Sequence, residues 1–276
     1  MKHKQTLAAM LLTAALTTGT AVWQVSAADA VQVTVTIADA AGSLALAAET
    51  VSVTDTDGDG ALTIHDALYL AHEQYYTEGA AGYGSAQTDY GLSLTKLWGA
   101  EGGSGFGYYR NDASAMSLAD PVADGDRISA FVYTDTVNWS DTYCFFDVQT
   151  AEVSAGDSLT LTLSAAGYDA NWNPVTLPVA NAVLTVNGTE TAFVTDEKGE
   201  VTLSFAEAGE QIISAVSHDR ILVPPCCKVT VQGDAVTVTT AAPPTETGDS
   251  LPAAWASLSA AAAVLALLHI TRRKTK

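Results

Sequence analysis

The stretch Asp55-Thr-Asp-Gly-Asp-Gly-Ala-Leu-Thr-Ile-His-Asp66 lies where the sequence changes from one hydrophobic period to another. Before it, residues 31–37 and 44–53 alternate apolar and polar side chains, which predicts a β-hairpin with one solvated face. After it, apolar residues recur at helical spacing from Ile64 to about Tyr76, which predicts an amphipathic helix. A hairpin, an acidic loop and a helix are therefore expected in that order.

The spacing of oxygen-bearing residues in this stretch matches the twelve-residue calcium-binding loop. Carboxylates stand at positions 1, 3 and 5, glycine at position 6 allows a sharp turn, and a carboxylate stands at position 12. Because no basic residue lies nearby to neutralise the acids, a bound cation is favoured over an empty acidic turn. The predicted cofactor is Ca²⁺, and its predicted ligands are Asp55, Asp57, Asp59, the Ala61 carbonyl, Thr63 and Asp66.

This EF-hand-type loop resembles the repeats of bacterial dockerins, which also have Asp at the twelfth position. The resemblance implies a cohesin partner, but a dockerin uses two such loop-helix units. No second Asp-x-Asp-x-Asp-Gly run occurs in the 276 residues. Cohesin binding is therefore a minor alternative, and calcium is expected to fix the start of the helix.

Two later stretches carry a second resemblance, Gly105-Phe-Gly-Tyr-Tyr-Arg-Asn-Asp112 and Val122-Ala-Asp-Gly-Asp-Arg-Ile-Ser-Ala-Phe-Val-Tyr133. With them, residues 31–147 resemble the transcobalamin-like C-terminal domain of bacterial surface proteins. The resemblance implies a β-grasp sheet wrapped on one helix. In vertebrate relatives a domain of this type closes over cobalamin, so the resemblance also implies a corrinoid ligand as an alternative.

Aromatic residues are concentrated between residues 69 and 146. Such a concentration suits a stacking surface for a glycan or another ring-shaped ligand, and it also suits the core of a small sheet packed on a helix. The candidate ligand-facing residues are Trp98, Tyr108, Tyr109 and Trp139.

The second half, residues 148–232, has alternating strands separated by turn signals about ten residues apart, which predicts a β-sandwich. The stretches 178–188, 195–203 and 208–215 resemble bacterial Ig-like domains of the invasin type, and the resemblance implies a stalk. The cysteines are Cys144, Cys226 and Cys227. A bridge from Cys144 to either partner, a strained Cys226–Cys227 bridge and three buried thiols all remain open.

The two ends of the chain have the features of targeting and anchoring segments. Residues 1–27 have the charged start, apolar middle and small-residue end of a signal peptide. Residues 251–270 carry no charge, are long enough to cross a bilayer as a helix, and precede a basic tail at 271–276 that is expected in the cytoplasm. The linker at 233–250 contains Thr247-Gly248, which resembles a degenerate Gram-positive sorting signal and implies a sortase as partner.

Charge and motifs exclude several classes of function. The chain has 31 Asp and Glu against 12 Lys and Arg. Such an acidic body repels phosphate, so nucleic acid is not an expected partner. No nucleophile elbow, zinc-binding helix or phosphate loop occurs in the sequence, and we expect no catalytic activity.

These features predict a mainly β protein with one principal helix, a β-grasp-like α+β domain followed by an Ig-like β-sandwich. The predicted function is a calcium-binding, surface-anchored extracellular binding or adhesion protein. Its external ligand is expected to be a glycan, a corrinoid or a protein. The C-terminal helix is expected to hold the protein in the membrane, or the sorting signal to attach it to the wall.

Overall fold

The computed structural model describes residues 30–101, 103 and 105–233. Strands dominate these residues, and their one α-helix is α1 (Ile64–Tyr75), followed by a 3-10 turn at Gly79–Gly82. The expected fold class is confirmed. The strands of the first half are β1 (Val31–Ala38), β2 (Leu44–Val53), β3 (Gly84–Thr88), β4 (Gly91–Leu97), β5 (Ala100–Glu101), β6 (Phe106–Arg110), β7 (Ala113–Ser114) and β8 (Arg127–Val132).

The main sheet of the first half has the strand order β2-β1-β8-β6-β7. Strands β1 and β2 form the predicted antiparallel hairpin, and β1 then pairs in parallel with β8 from Thr34–Arg127 to Ala38–Phe131. A parallel pair needs a long crossover, and this one contains α1 and a second small sheet, β3-β4-β5. An N-terminal hairpin, a helix and a late central strand together form a β-grasp.

The helix packs on this sheet through the apolar face that the sequence predicts. Ile64, Ala67, Leu68 and Ala71 are buried, and they share one hydrophobic cluster with the inward-facing valines of β1. Removing a fully buried leucine side chain from such a cluster typically costs about 2–5 kcal/mol. The hairpin and the helix thus stabilise each other across the acidic loop that joins them.

The second half is a two-sheet β-sandwich of ten strands. One sheet has the order β10-β18-β16-β13-β14, and the other has β12-β11-β9-β17 with β15 beside β11. The strands are β9 (Thr142–Phe146), β10 (Thr150–Ser154), β11 (Ser158–Tyr168), β12 (Pro174–Pro178), β13 (Val183–Val186), β14 (Thr189–Val194), β15 (Glu200–Ser204), β16 (Gly209–Val216), β17 (Leu222–Val223) and β18 (Cys227–Gln232).

Strand β9 corrects the predicted boundary between the halves. The sequence placed residues 142–146 in the first domain, but this strand pairs with β11 and β17 of the sandwich. The structural boundary therefore lies before Thr142 rather than after Asp147. An apolar, aromatic-rich strand suits either sheet, so only the hydrogen-bond partners distinguish the two assignments.

The two halves pack against each other within one compact unit. Phe131 of β8 and Tyr143 of β9 are buried in a shared hydrophobic cluster, and the ring of Tyr109 stacks on that of Tyr143 at 3.7 Å between centroids. Lys228 Nζ of β18 donates to Glu49 Oε1 of β2 at 2.5 Å. Burial lowers the pKa of Lys228, but the hydrogen bond and charge of Glu49, together with the charge of Glu210, outweigh burial and the pKa is raised, so the ammonium group stays charged.

The predicted signal peptide at 1–27, the linker and sorting signal at 233–250 beyond Gly233, the membrane-spanning segment at 251–270 and the basic tail at 271–276 lie outside the described residues. Thr247 and Gly248 are among them. Within the part that the structure describes, no helix is long and apolar enough to cross a membrane.

His72 of α1 is fully buried beside the β4–β5 hairpin. Its Nδ1 lies 2.6 Å from the Leu68 carbonyl oxygen, and its Nε2 accepts the Trp98 backbone N–H at 2.9 Å. This arrangement requires the neutral imidazole with its proton on Nδ1. Burial lowers the pKa of His72, because desolvation disfavours the charged ring.

We expect this buried histidine to make the folded protein sensitive to mild acid. The pKa of His72 is lower in the folded than in the unfolded chain, where it is about 6.5. The contribution of His72 to the free energy of unfolding is therefore complete above pH 6.5. It is lost as the pH falls below that value, by at most about 1.4 kcal/mol per pH unit. His72→Gln, which can still accept the Trp98 N–H but does not titrate, should flatten the change in Tm between neutral pH and mild acid. The exposed His218→Gln should leave that change as in the wild type, and an equal change in all three proteins would contradict the assignment.

Candidate metal centre

The three aspartates of the acidic loop converge. Carboxylate oxygens of Asp55, Asp57 and Asp59 all lie within 4.8 Å of one another. Asp55 is half-buried, and the other two are exposed. The sequence predicted this cluster, and the structure places its three members together.

Backbone N–H groups orient each of these carboxylates. Asp55 accepts the N–H of Gly58 at 2.7 Å and that of Gly60 at 2.9 Å, one on each carboxylate oxygen. Asp57 accepts the Asp59 N–H at 3.2 Å, and Asp59 accepts the Ala61 N–H at 2.8 Å. Both glycines have positive φ, 78° and 88°, so the loop needs residues without a Cβ at these points.

Electrostatics at the cluster favour a cation. The Gly60 N–H holds the pKa of the Asp55 carboxyl below its usual value, so Asp55 is ionised at neutral pH. Among the described residues, the ion pairs use Lys96, Arg110, Arg127 and Lys228, and none of them reaches the loop. Three carboxyl groups therefore lie within 4.8 Å of one another without a basic partner, and a hard cation with oxygen ligands fits the donor set.

Asp66 and Thr63, the predicted ligands at positions 12 and 9, lie in a different arrangement. Asp66 is 1% exposed, and each of its oxygens accepts two hydrogen bonds. One oxygen accepts the Thr56 N–H (2.8 Å) and hydroxyl (2.6 Å), and the other accepts the Thr63 N–H (2.9 Å) and hydroxyl (2.7 Å). Thr63 caps α1, and Asp66 completes the capping box. Their role as ligands stays a prediction.

The far end of the loop is hydrogen-bonded to the segment before β8. The Val122 N–H donates to the Leu62 carbonyl oxygen at 2.9 Å. The Ile64 N–H donates to the backbone carbonyl of Asp120 at 3.1 Å, and the His65 N–H donates to that of Leu118 at 2.8 Å. These contacts, with an isolated β-bridge between Thr63 and Pro121, hold Leu62, Thr63 and the start of α1 along the edge formed by that segment. The cluster is therefore positioned by β2 on one side and by this edge on the other.

Sequence reasoning did not find Thr56, which supplies two of the four hydrogen bonds to Asp66. It stands at loop position 2, where the calcium pattern requires no particular residue. A threonine ten residues before a helix-capping aspartate is too weak a signal to have identified it.

The four candidate ligand-facing aromatics do not share one surface. Trp98 packs between His72 and Tyr76, at 5.1 Å between ring centroids in each case. Tyr108 packs on the helix-side core, and Tyr109 points to the opposite face of β6 and stacks on Tyr143. Successive residues of a strand face opposite sides, so neighbouring tyrosines on one strand cannot form one stacking platform.

Trp139, the fourth of these aromatics, lies in the loop between β8 and β9 and is 50% exposed. Its indole packs edge-on against Tyr133 at 5.2 Å and covers Gly105, where an added Cβ would lie 1.8 Å from the ring. The position is therefore a packing contact with glycine, not part of a shared aromatic surface.

The three cysteines are free and buried. Cys144 Sγ donates to the Val223 carbonyl at 3.1 Å, and burial raises the pKa of Cys226 and of Cys227 to about 12. All three are therefore neutral thiols, which is one of the alternatives that the sequence left open.

Comparisons with known proteins add little. No protein-family profile matches the chain, and no curated protein matches it. Among solved structures, the chain is similar to the tandem Ig repeats of Dlar, with 9% identity over 47% of this chain and 83% of that chain and a TM-score of 0.21. At that TM-score the likeness supports no argument, so the sandwich is described from its own strands.

The loop geometry predicts a calcium-dependent stability that needs Asp55 and Asp57. Calcium should raise the Tm of the full-length chain and a chelator should reverse the rise, because binding to the folded state alone stabilises it. Asp55→Ala and Asp57→Ala should each abolish this response. Asp89→Ala, an exposed acid in the β3–β4 turn, should keep it.

Calorimetric titration of the same proteins should give one calcium per chain for the wild type and for Asp89→Ala, and none for Asp55→Ala or Asp57→Ala. A response to calcium that survives in both loop variants would show that the site lies elsewhere. Two calcium ions per chain would revive the cohesin alternative.

The arrangement at Asp66 predicts a separate, metal-independent cost. Asp66→Ala leaves the donors of the half-buried Thr56 and the buried Thr63 without a partner, so it should destabilise the protein by about 2–4 kcal/mol even with chelator present. Asp57→Ala, whose side chain is exposed, should cost little under the same conditions. Equal destabilisation of the two variants in chelator, measured by urea unfolding, would contradict the structural role of Asp66.

Proposed function

We propose that this protein is a calcium-stabilised, non-catalytic binding protein, displayed outside the cell and held there by its C-terminal segment at 251–270. The observation that carries the proposal is the cluster of Asp55, Asp57 and Asp59 at the junction of the β-hairpin and the helix. A cation at that position would neutralise charge where the chain turns from sheet to helix.

Calcium bound there would act on folding rather than on chemistry. The loop runs directly into α1, and the buried face of α1 packs against β1. Neutralising the cluster would therefore favour the docked helix over the unfolded chain. If the affinity is that of extracellular calcium modules, with Kd of about 10⁻⁴–10⁻³ M, millimolar calcium stabilises the fold by about 0.4–1.4 kcal/mol.

The extracellular location rests on the sequence. A signal peptide at 1–27 and an apolar segment followed by a basic tail at 251–276 are the expected layout of an exported, C-terminally anchored chain. Extracellular calcium is abundant, so a weak site suffices to stay occupied outside the cell. The predicted location and the predicted metal thus support the same proposal.

The binding role rests on the surface of the unit formed by both halves. The sandwich was expected to act as a stalk alone, but it packs against the β-grasp sheet and shares a cluster of aromatic residues with it. Grooves between the two halves are consequently part of the displayed surface.

The proposal predicts calcium-dependent resistance to an external protease on intact cells that carry the full chain. The protein should be cleaved slowly in calcium and faster in chelator, since chelation raises the fraction of open molecules. The double variant Asp55→Ala/Asp57→Ala should be cleaved at the faster rate in both conditions. Truncation after residue 250 should release the protein into the medium.

A cytoplasmic marker that stays intact serves as the control for cell integrity. Protection of the wild-type protein from protease on intact cells but not in lysed cells would place it inside the cell and overturn the proposed display. Retention of the truncated chain on the cells would overturn the anchoring role of residues 251–276.

A further inference from the structure

A cleft opens between two hairpins, one from each half of the unit. It lies between the β6–β7 hairpin of the β-grasp sheet and the β11–β12 hairpin of the sandwich, and its volume is about 470 Å³. Ligand sites of small molecules typically measure about 300–1,000 Å³, so the cleft is of suitable size. Tyr109 and Phe145 line it where the two halves meet.

One exposed aromatic ring lines the sandwich side of this interhairpin cleft, and a second lies in the adjoining turn. Tyr168 lines the cleft and is 56% exposed, and Trp172 in the adjoining turn is 81% exposed with its ring centroid 6.1 Å from that of Tyr168. Two large rings this exposed side by side are unusual for a surface without a ligand.

Hydrogen bonds to Asp169 hold the turn that carries Trp172. Asp169 accepts the N–H groups of Asn171 and Asn173 at 2.8 and 2.9 Å, and the Asn173 side-chain amide donates to it at 2.9 Å. These bonds lower the pKa of Asp169, and the Asn173 side-chain amide contributes most. Trp172 has φ of 64°, a left-handed conformation that bulky residues rarely adopt. The indole is therefore held in solvent at a conformational cost.

The opposite wall supplies polar groups. Asp112 accepts the Tyr143 hydroxyl at 3.0 Å on one oxygen and the Arg127 guanidinium on the other, so its carboxylate is held in one orientation with acceptor capacity to spare. The exposed hydroxyls of Ser114 on β7 and Thr176 on β12 also line the cleft. Both strands are sheet edges.

The shape and charge of the cleft favour one class of ligand. An added peptide strand is disfavoured, because β7 has two residues and β12 begins and ends with Pro174 and Pro178, which have no N–H to pair. Anionic ligands are disfavoured by Asp112 and Asp169, since the guanidinium of Arg127 is already paired with Asp112. A ligand with an apolar face and several uncharged hydroxyls fits both the rings and the acceptors.

We infer that the interhairpin cleft binds a neutral oligosaccharide, with one sugar ring stacked on Tyr168 inside the cleft, a neighbouring sugar on Trp172 in the adjoining turn, and hydroxyls donating to Asp112. This inference rests on the binding role proposed above and names its ligand class. It does not depend on the calcium loop, which lies on residues outside the cleft.

Titration calorimetry of the full-length chain with neutral hexasaccharides tests the inference. The probes are maltohexaose, cellohexaose, xylohexaose, mannohexaose and chitohexaose, with cyanocobalamin as a competing ligand class. At least one saccharide should bind, and Trp172→Ala and Tyr168→Ala should each weaken it by about tenfold or more, the loss expected for one stacked ring. Trp139→Ala and Tyr90→Ala, exposed rings outside the cleft, should bind as the wild type does.

Other outcomes overturn the inference. The inference is wrong if no saccharide binds, or if the double variant Trp172→Ala/Tyr168→Ala binds saccharide as the wild type does. It is also wrong if cyanocobalamin is the one probe that binds and its binding requires Trp172. Unchanged Tm of each variant shows that it is folded. Repeating the saccharide titration with Asp55→Ala/Asp57→Ala separates this inference from the calcium proposal. If that variant loses its response to calcium but still binds the saccharide, the cleft binds its ligand independently of the calcium loop.

Discussion

The first half of the protein depends on the hydrogen bonds that the buried carboxylate of Asp66 accepts. Its four hydrogen bonds join the start of the acidic loop, at Thr56, to the cap of the helix, at Thr63. A carboxylate that is 1% exposed is stable only when its oxygens are fully paired, so the loop and the helix start must form together. The packing of α1 on β1, and with it the β-grasp sheet, follows from that junction.

The second constraint is the contact between the halves. Ion pairing of Lys228 with Glu49 and stacking of Tyr109 on Tyr143 hold the sandwich against the sheet instead of leaving it as a separate stalk. The interhairpin cleft exists only because this contact places β7 and β12 near each other. A ligand in the cleft would touch both halves, so binding would also stabilise their association.

Much of the fold was predictable because its signals are local. Alternation in 31–37 and 44–53 and helical spacing after Ile64 report which side of each element is buried, and the structure has those elements at nearly the same bounds. The three loop aspartates were predictable for the same reason, since ligand spacing within twelve residues is a property of the chain itself. The partners of Asp66, and the assignment of β9 to the sandwich, depend on contacts that no local pattern records.

The sequence by itself determined the mainly β class, the single principal helix of the described residues, and the cluster of Asp55, Asp57 and Asp59. Only the tertiary structure decided where the aromatic residues point. It separated Trp98, Tyr108, Tyr109 and Trp139 onto different surfaces, and it brought Tyr168 into a cleft opposite Asp112, with the ring of Trp172 beside Tyr168. The physical reason is that periodicity identifies a buried face of one element, whereas a site made by two hairpins of different sheets depends on how those sheets pack.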